Sequence, residues 1–268
     1  MTSKPFGTLS KPLKKEDETL TKINKLIVSL HKGQDESGKA PRHQASSFGY
    51  ACLRKIYYSY FRTPKDSPPD AKGGKILQTG IFIEEMVMSW LKGIGEHVPY
   101  VCREGEEPKL VNGVVDPQFP ISLEDLEIKR GYIDNVSIVN DSLWIHEIKS
   151  MNTFKFKNLE EPLPEHLVQV AIYYIAMLNH LKNGDFNHIF QKDYPVAGVK
   201  VIYLDKNSSE LKVFKLEPDE LLEKATEVFE KYDRVKGFTV GKKLPPKTED
   251  KCSYCDYRRK CSKEENVA

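Results

Sequence analysis

At about Leu126 the apolar residues stop recurring every three to four positions and begin to alternate, and this change of period restricts the chain to folds in which helices cover a sheet. Alternation runs through Ile128, Arg130, Tyr132 and Asp134 to Val136 and Ile138. After the turn-forming pair Asn140-Asp141 a second strand over residues 143–150 completes a β-hairpin. Another strand pair is predicted over 196–204 and 210–216. Helical spacing marks 20–30 (Leu20, Ile23, Leu26, Ile27, Leu30), 46–60 with Ser46 and Ser47 as caps, 76–91, 167–181 and 218–236. Gly- and Pro-bearing stretches at 31–42 and 64–74 read as connectors. The expectation is a mixed α/β fold, a central sheet flanked by helices over residues 46–245. A helical extension and linker (1–45) precede it and a short cysteine segment (246–268) follows.

Charge narrows the function. Of 268 residues, 41 are Lys or Arg and 39 are Asp or Glu, a net charge of +2, so no bulk polycation binds nucleic acid here and any polyanion site is local. The longest apolar run, residues 167–178, is interrupted by Gln169 and falls short of a membrane span. The N-terminal Met1-Thr2-Ser3-Lys4-Pro5 opens no apolar signal region, so the expected location is cytoplasmic, in a bacterial, archaeal or phage-infected cell. No His-Glu-x-x-His is present, Gly73-Gly74-Lys75 lacks phosphate-loop spacing, and no Cys/His pairing suggests a thiol nucleophile.

Within the second hairpin strand, Glu147 and Lys149 share one face while His146 and Ile148 take the other. Hairpin pairing brings Asp134 alongside Glu147. Two carboxylates and a main-chain carbonyl form a hard oxygen site suited to magnesium or manganese, which serves phosphodiester hydrolysis by neutralising phosphate charge and acidifying a bound water. Lys149 stabilises developing negative charge or positions that water. Alone, a Glu-x-Lys pair is more often a solvated strand face. Further along, Gln169 and Tyr173 stand one helical turn apart, with His166 on the same side.

The order Gly131-Tyr132-Ile133-Asp134, Glu147-Ile148-Lys149, Gln169-x-x-x-Tyr173 resembles the PD-(D/E)xK nuclease superfamily, and specifically its RecB-like branch. The resemblance implies a restriction-endonuclease-like core, metal ligation by Asp134, Glu147 and the Ile148 carbonyl, a catalytic Lys149, and Gln169 and Tyr173 contacting DNA or ordering the lysine. Where that branch carries Gly-x-x-x-His, this chain has Gly80-Ile81-Phe82-Ile83-Glu84, which makes Glu84 the expected third side-chain ligand and Glu85 the fallback.

Cys252, Cys255 and Cys261 form Cys-x-x-Cys-x5-Cys in a polar segment too short to pack by itself. Three thiolates call for a fourth ligand, and Cys52 and Cys102 remain. The run Cys52-Leu53-Arg54-Lys55-Ile56-Tyr57-Tyr58 is similar to the N-terminal cysteine helix of iron–sulfur RecB-like nucleases, a subgroup that includes CRISPR-adaptation, AddB-type and phage enzymes. It implies a [4Fe-4S] cluster on Cys52, Cys252, Cys255 and Cys261, with a four-cysteine zinc knot as the competing reading, and leaves Cys102 incidental.

DNA contact is expected from Lys129 and Arg130, Lys155 and Lys157, and Arg258, Arg259 and Lys260, with Tyr57, Tyr58, Tyr60, Phe61, Phe154 and Phe156 as stacking candidates. The implied activity is a DNA exonuclease on single strands or ends in recombination, replication or CRISPR adaptation. A helicase or adaptation partner and a homo-oligomer are compatible with it. The alternatives are a cluster-stabilised DNA scaffold with a decayed site, or RNA cleavage.

Overall fold

A computed structural model of the chain describes residues 18–32, 39–66, 70–103, 105–106, 110–111, 114–115, 118–248 and 252–265. The start of the N-terminal extension (1–17), connector positions 33–38, loop positions 67–69 and Lys251 lie outside the described residues.

Helix α1 (Glu18–Lys32) forms on the amphipathic stretch and takes in His31, which its connector composition had assigned elsewhere. The predicted helix 46–60 divides in two. Ala45–Gly49 is a single 3-10 turn, Tyr50 is extended, and α2 (Leu53–Tyr60) starts only after Cys52. At the end of that turn a Cβ on Gly49 would lie 2.8 Å from the Glu165 Cβ and 2.9 Å from its Cα and carbonyl oxygen, so the chain passes there only as glycine. Ser47 does not cap a helix but bonds the Ser59 hydroxyl at 2.8 Å.

Helix α3 (Ala71–Gly93) begins inside the predicted 64–74 loop, because Asp70 Oδ1 accepts the Gly73 N–H at 2.7 Å and caps it. Half-buried Thr21, Asn24, Ile27 and Val28 of α1 lie on the side that contains the Asn24 bond to Lys75 Nζ (2.6 Å), leaving Leu20, Ile23, Leu26 and Leu30 exposed.

Two short strands, β1 (Leu110–Val111) and β2 (Val114–Val115), pair antiparallel, as do β3 (Phe119–Leu123) and β4 (Ile128–Ile133). The expected single strand to Ile138 is interrupted at Asp134, and β5 (Asn135–Val139) starts a separate sheet. Asn140 and Asp141 both adopt positive φ (51° and 57°), the backbone of a tight hairpin turn, and β6 (Ser142–Met151) returns along β5. A crossover through α4 (Thr153–Lys157) and α5 (Pro164–Lys182) brings β7 (Val196–Asp205) parallel to β6, and β8 (Leu211–Leu216) closes the four-stranded order β5-β6-β7-β8. The chain ends with α6 (Pro218–Gly241), started by a Glu217/Glu220 capping box, and α7 (Arg258–Glu265).

The sheet is thus mixed and covered on both faces, as expected. Ile148, Ile202 and Leu204 pack against Ile83, Val87 and Leu91 of α3. Ile145, Val199, Val201 and Tyr203 join the main core with Val168, Ala171 and Ile172 of α5. Each such fully buried aliphatic side chain contributes about 1.5–3 kcal/mol. Leu53 and Ile56 of α2 meet Val235 of α6, which sets the N-terminal cysteine helix beside the end of the chain. Among the described residues, no helix is long and apolar enough to cross a membrane.

Candidate nuclease site and cysteine clasp

The site lies where β4 parts from β5. Because Asn135 pairs with His146, Asp134 falls opposite Glu147 just as the antiparallel ladder ends. Its Oδ2 then takes the place of a strand partner and accepts the Ile148 N–H at 2.8 Å. A strand residue directs its amide and carbonyl to the same side, so the Ile148 carbonyl also faces Asp134. Glu84, at mid-length of α3, completes the carboxylate group. Gln118, one residue before β3, donates its Nε2–H to Glu84 Oε1 at 2.6 Å and to Asp134 Oδ1 at 3.3 Å. Gln118 was not singled out by sequence reasoning.

Burial makes this an electrostatically costly place. Glu147 is 0% exposed and its Oε1 is ion-paired with the Lys149 ammonium, which leaves Oε2 as the carboxylate oxygen without a partner among the described residues. Burial, then the charges of Glu147 and Glu84, push the Asp134 carboxyl well above its ordinary range. Burial works against the charge on Lys149, yet Glu147 and Asp134 outweigh it and hold the ammonium firmly protonated. Tyr173, on α5, is raised by burial and then by the charges of Glu147 and Asp134. Gln169 Nε2 donates to the Tyr173 hydroxyl at 2.8 Å. His166 turns instead to the Tyr203 hydroxyl at 2.7 Å, and burial lowers its pKa to about 4.

A buried carboxylate with one oxygen left unpartnered, beside a raised Asp134, is the donor chemistry that a hard divalent cation satisfies. Glu84, Asp134 and Glu147 therefore fit Mg2+ or Mn2+ by donor type. Among the described residues, no three His, Cys, Asp or Glu side chains are gathered tightly enough to grip an ion as they stand.

The two ends of the core are joined at the cysteines. Arg54 Nε donates to the Pro245 carbonyl (2.9 Å) and Nη1 to Cys261 Sγ (3.3 Å). The Tyr58 hydroxyl bonds Glu264, and its ring lies 5.2 Å from that of Tyr257. Cys252 Sγ donates to the Thr248 carbonyl at 3.6 Å. Burial raises the Cys52 thiol, but the Thr248 hydroxyl and the amides of Arg54 and Lys55 bring it below its ordinary value. The Cys255 thiol is raised, first by burial, with Cys52 among the charges that add to it. Cys52, Cys255 and Cys261 thus lie along one seam between α2 and the segment that carries α7, with Cys252 bonded through its carbonyl to the Cys255 amide, but among the described residues no three of these thiols are gathered closely enough to hold a metal ion as they stand.

Of the aromatic stacking candidates, Tyr58 and Phe156 are core residues, Tyr60 is tied to Glu127 at 2.8 Å, and Phe154 is largely exposed.

Two solved structures resemble the chain over most of its length. The crystal structure of SSO0001 has 15% identity over 90% of this chain and 95% of that one, with a TM-score of 0.48. That of a candidate exonuclease from Eubacterium rectale has 11% identity over 92% and 76%, with a TM-score of 0.36. No protein of curated function matches the chain. The family description of the PD-(D/E)XK nuclease superfamily matches residues 76–262, a span that runs from α3 through all three sheets of the described residues into α7, and the chain belongs to that superfamily, whose members are nucleases that work with a divalent cation, typically Mg2+ or Mn2+.

Proposed function

We propose that the chain is a divalent-metal-dependent DNA nuclease, an exonuclease acting on single strands or DNA ends, in recombination, replication or CRISPR adaptation. The observation that carries the reading is the Asp134–Ile148 bond. It sets a carboxylate, a strand carbonyl and Glu147, which is ion-paired to Lys149 through one oxygen, at one open point of the sheet. Glu84, Asp134, Glu147 and the Ile148 carbonyl would hold the ion, which when bound polarises the phosphodiester and acidifies water. Lys149 stays protonated and opposes negative charge on the phosphate. Tyr173, kept neutral, and Gln169 form a hydrogen-bonded pair at the back of the site and act by orienting it.

The reading extends to a [4Fe-4S] cluster on Cys52, Cys252, Cys255 and Cys261, with zinc as the competitor. It is supported by the convergence of the two chain ends and by the donors that lower the Cys52 thiol.

The test is cleavage of end-labelled single- and double-stranded DNA with Mg2+, Mn2+ or EDTA, for the wild type and Lys149→Ala. Metal-dependent degradation that falls at least about a hundredfold in the variant is expected, and the label reports polarity. Binding without cleavage in either metal would favour the scaffold reading. Preferential degradation of labelled RNA would redirect the substrate assignment.

A further inference from the structure

Beside the cysteine clasp the structure holds a second charged concavity. A cavity of about 500 Å³ opens between α7 and the loop that follows α2, lined by Asp66, Arg259, Lys260, Lys263 and Glu264. Its carboxylates are already engaged. Asp66 accepts the backbone N–H groups of Arg259 and, at 3.3 Å, Lys260. Glu264 takes the Tyr58 hydroxyl and faces Lys260 Nζ at 3.5 Å. The side chains of Arg259 and Lys263 are different: one helical turn apart on α7, both lining the cavity, they have no ion-pair or hydrogen-bond partner among the described residues. Two like charges at this spacing repel each other, and a bound anion removes the repulsion.

We propose that Arg259 and Lys263 form a phosphate subsite for the backbone of the nucleic-acid strand whose phosphodiester is cut at the carboxylates. The assignment rests on the nuclease reading for the identity of the strand. The planar guanidinium suits two phosphate oxygens at once, and the ammonium adds a point charge without reading sequence. Geometry allows one strand to serve both places. Asp66 leads within five residues into α3, and Glu84 lies about 20 Å along that helix, so the two sites are no more than about 40 Å apart. A strand of roughly twelve stacked nucleotides covers that distance.

The experiment measures binding of a fluorescein-labelled DNA strand of about 20 nucleotides by the full chain in EDTA, across about 50 to 300 mM salt. It compares the wild type with Arg259→Ala/Lys263→Ala and with the charge-retaining Arg259→Lys/Lys263→Arg. Loss of both charges is expected to weaken binding on the order of tenfold at 0.1 M salt and to make the log–log salt slope shallower by about 1.4, while the charge-retaining pair stays near the wild type. A thermal melt unchanged by the alanine pair excludes general unfolding as the cause. An unaltered slope, or an equal loss in both double variants, overturns the proposal, as does a wild type that binds inorganic phosphate there as tightly as the strand. A wild type that binds the strand through these charges but never cleaves it would refute the nuclease reading and leave the subsite standing.

Discussion

The carboxylate site and the cysteine clasp are built by opposite means. At the carboxylate site the groups on the sheet are set by backbone, Glu147 and Lys149 by a ladder with β7 that runs from Leu143 to Met151, Asp134 by the strand break and its bond to the Ile148 amide, and Glu84 alone is tied in through a side chain, that of Gln118. The clasp joins segments about two hundred residues apart, largely through side chains, with Arg54 on Pro245 and Cys261, and Tyr58 on Glu264 and Tyr257. The first region concentrates buried charge that opposes folding. The second favours folding through the proposed cross-link of the four cysteines, which would close a long loop. Function and stability should therefore separate when each region is perturbed.

Asp134→Asn should produce the largest separation. Its folded pKa is raised above the ordinary 3.8, so the stability linked to this group is present below that value and lost as pH rises through the folded one. Removing the charge at neutral pH should raise the melting temperature in EDTA by a few degrees while cutting cleavage by about a thousandfold. Added Mg2+ or Mn2+ should then stabilise the wild type and not the variant. A variant that melts below the wild type in EDTA would make Asp134 a structural residue first.

Cys255→Ser should act in the reverse sense. Opening a loop of about two hundred residues removes up to about 5 kcal/mol by the chain-entropy treatment of cross-links, a fall in melting temperature on the order of 10 °C. Broad visible absorption of anaerobically purified wild type should vanish with it, while the variant retains metal-dependent cleavage when assayed cold. Stoichiometric zinc without iron in the wild type would replace the cluster by a zinc knot, and an unchanged melt would remove the clasp from the stability account.

Acid pH probes the scaffold between the two. His43, packed among the rings of Phe48, Tyr60 and Tyr232, is lowered by burial to about 4; His146, fully buried and bonded to Ser137, to about 3; and His166 to about 4. Depressed values mean that their stability contribution is complete above about 6.5 and lost as pH falls through 4 to 3. Each accounts for a slope of at most about 1.4 kcal/mol per pH unit. Urea melts from pH 7 to 4.5, run in the Asp134→Asn background to remove the opposing carboxyl, should show stability declining below pH 6.5. A flat profile would mean that these rings do not pass from water into the core on folding.

The hairpin, its turn and the Glu147/Lys149 face were legible because period-two alternation and a turn pair such as Asn140-Asp141 act over a few neighbouring residues. Helix limits were less so. The 46–60 helix is divided at Gly49, which passes against Glu165, a residue more than a hundred positions away, and no local propensity encodes that meeting. Asp70 starts α3 inside a Gly/Pro stretch whose composition indicates a loop, and α1 turns a face with Thr21 and Asn24, not its most apolar one, towards α3. The interruption at Asp134 was invisible because alternation continues through it, although that break is what frees the Ile148 edge for the site.

Gln118 is the sharpest case, and its substitution the smallest effect expected. Strand β3 alternates in burial, with Phe119, Ile121 and Leu123 inside, but Pro120 within it argues against a strand unless it lies at an edge, and in this two-stranded sheet it does. With β3 hidden, nothing in sequence points to the residue preceding it. In space, its amide bridges Glu84 and Asp134, the two carboxylates brought in by different elements, and lessens their mutual repulsion. It belongs to neither end of the comparison, since it uses a side chain to do at the carboxylate site what backbone does for Glu147. Gln118→Ala should therefore leave the maximal rate at saturating Mg2+ within about twofold and raise the Mg2+ concentration for half-maximal cleavage about tenfold, the size of effect that outer-shell partners of a metal site produce. Gln118→Glu, which adds a fourth carboxylate to Glu84, Asp134 and Glu147 in place of the donor, should raise it further. An unchanged metal dependence in both variants would mean that backbone register alone positions the site, and the contrast with the clasp would then be complete.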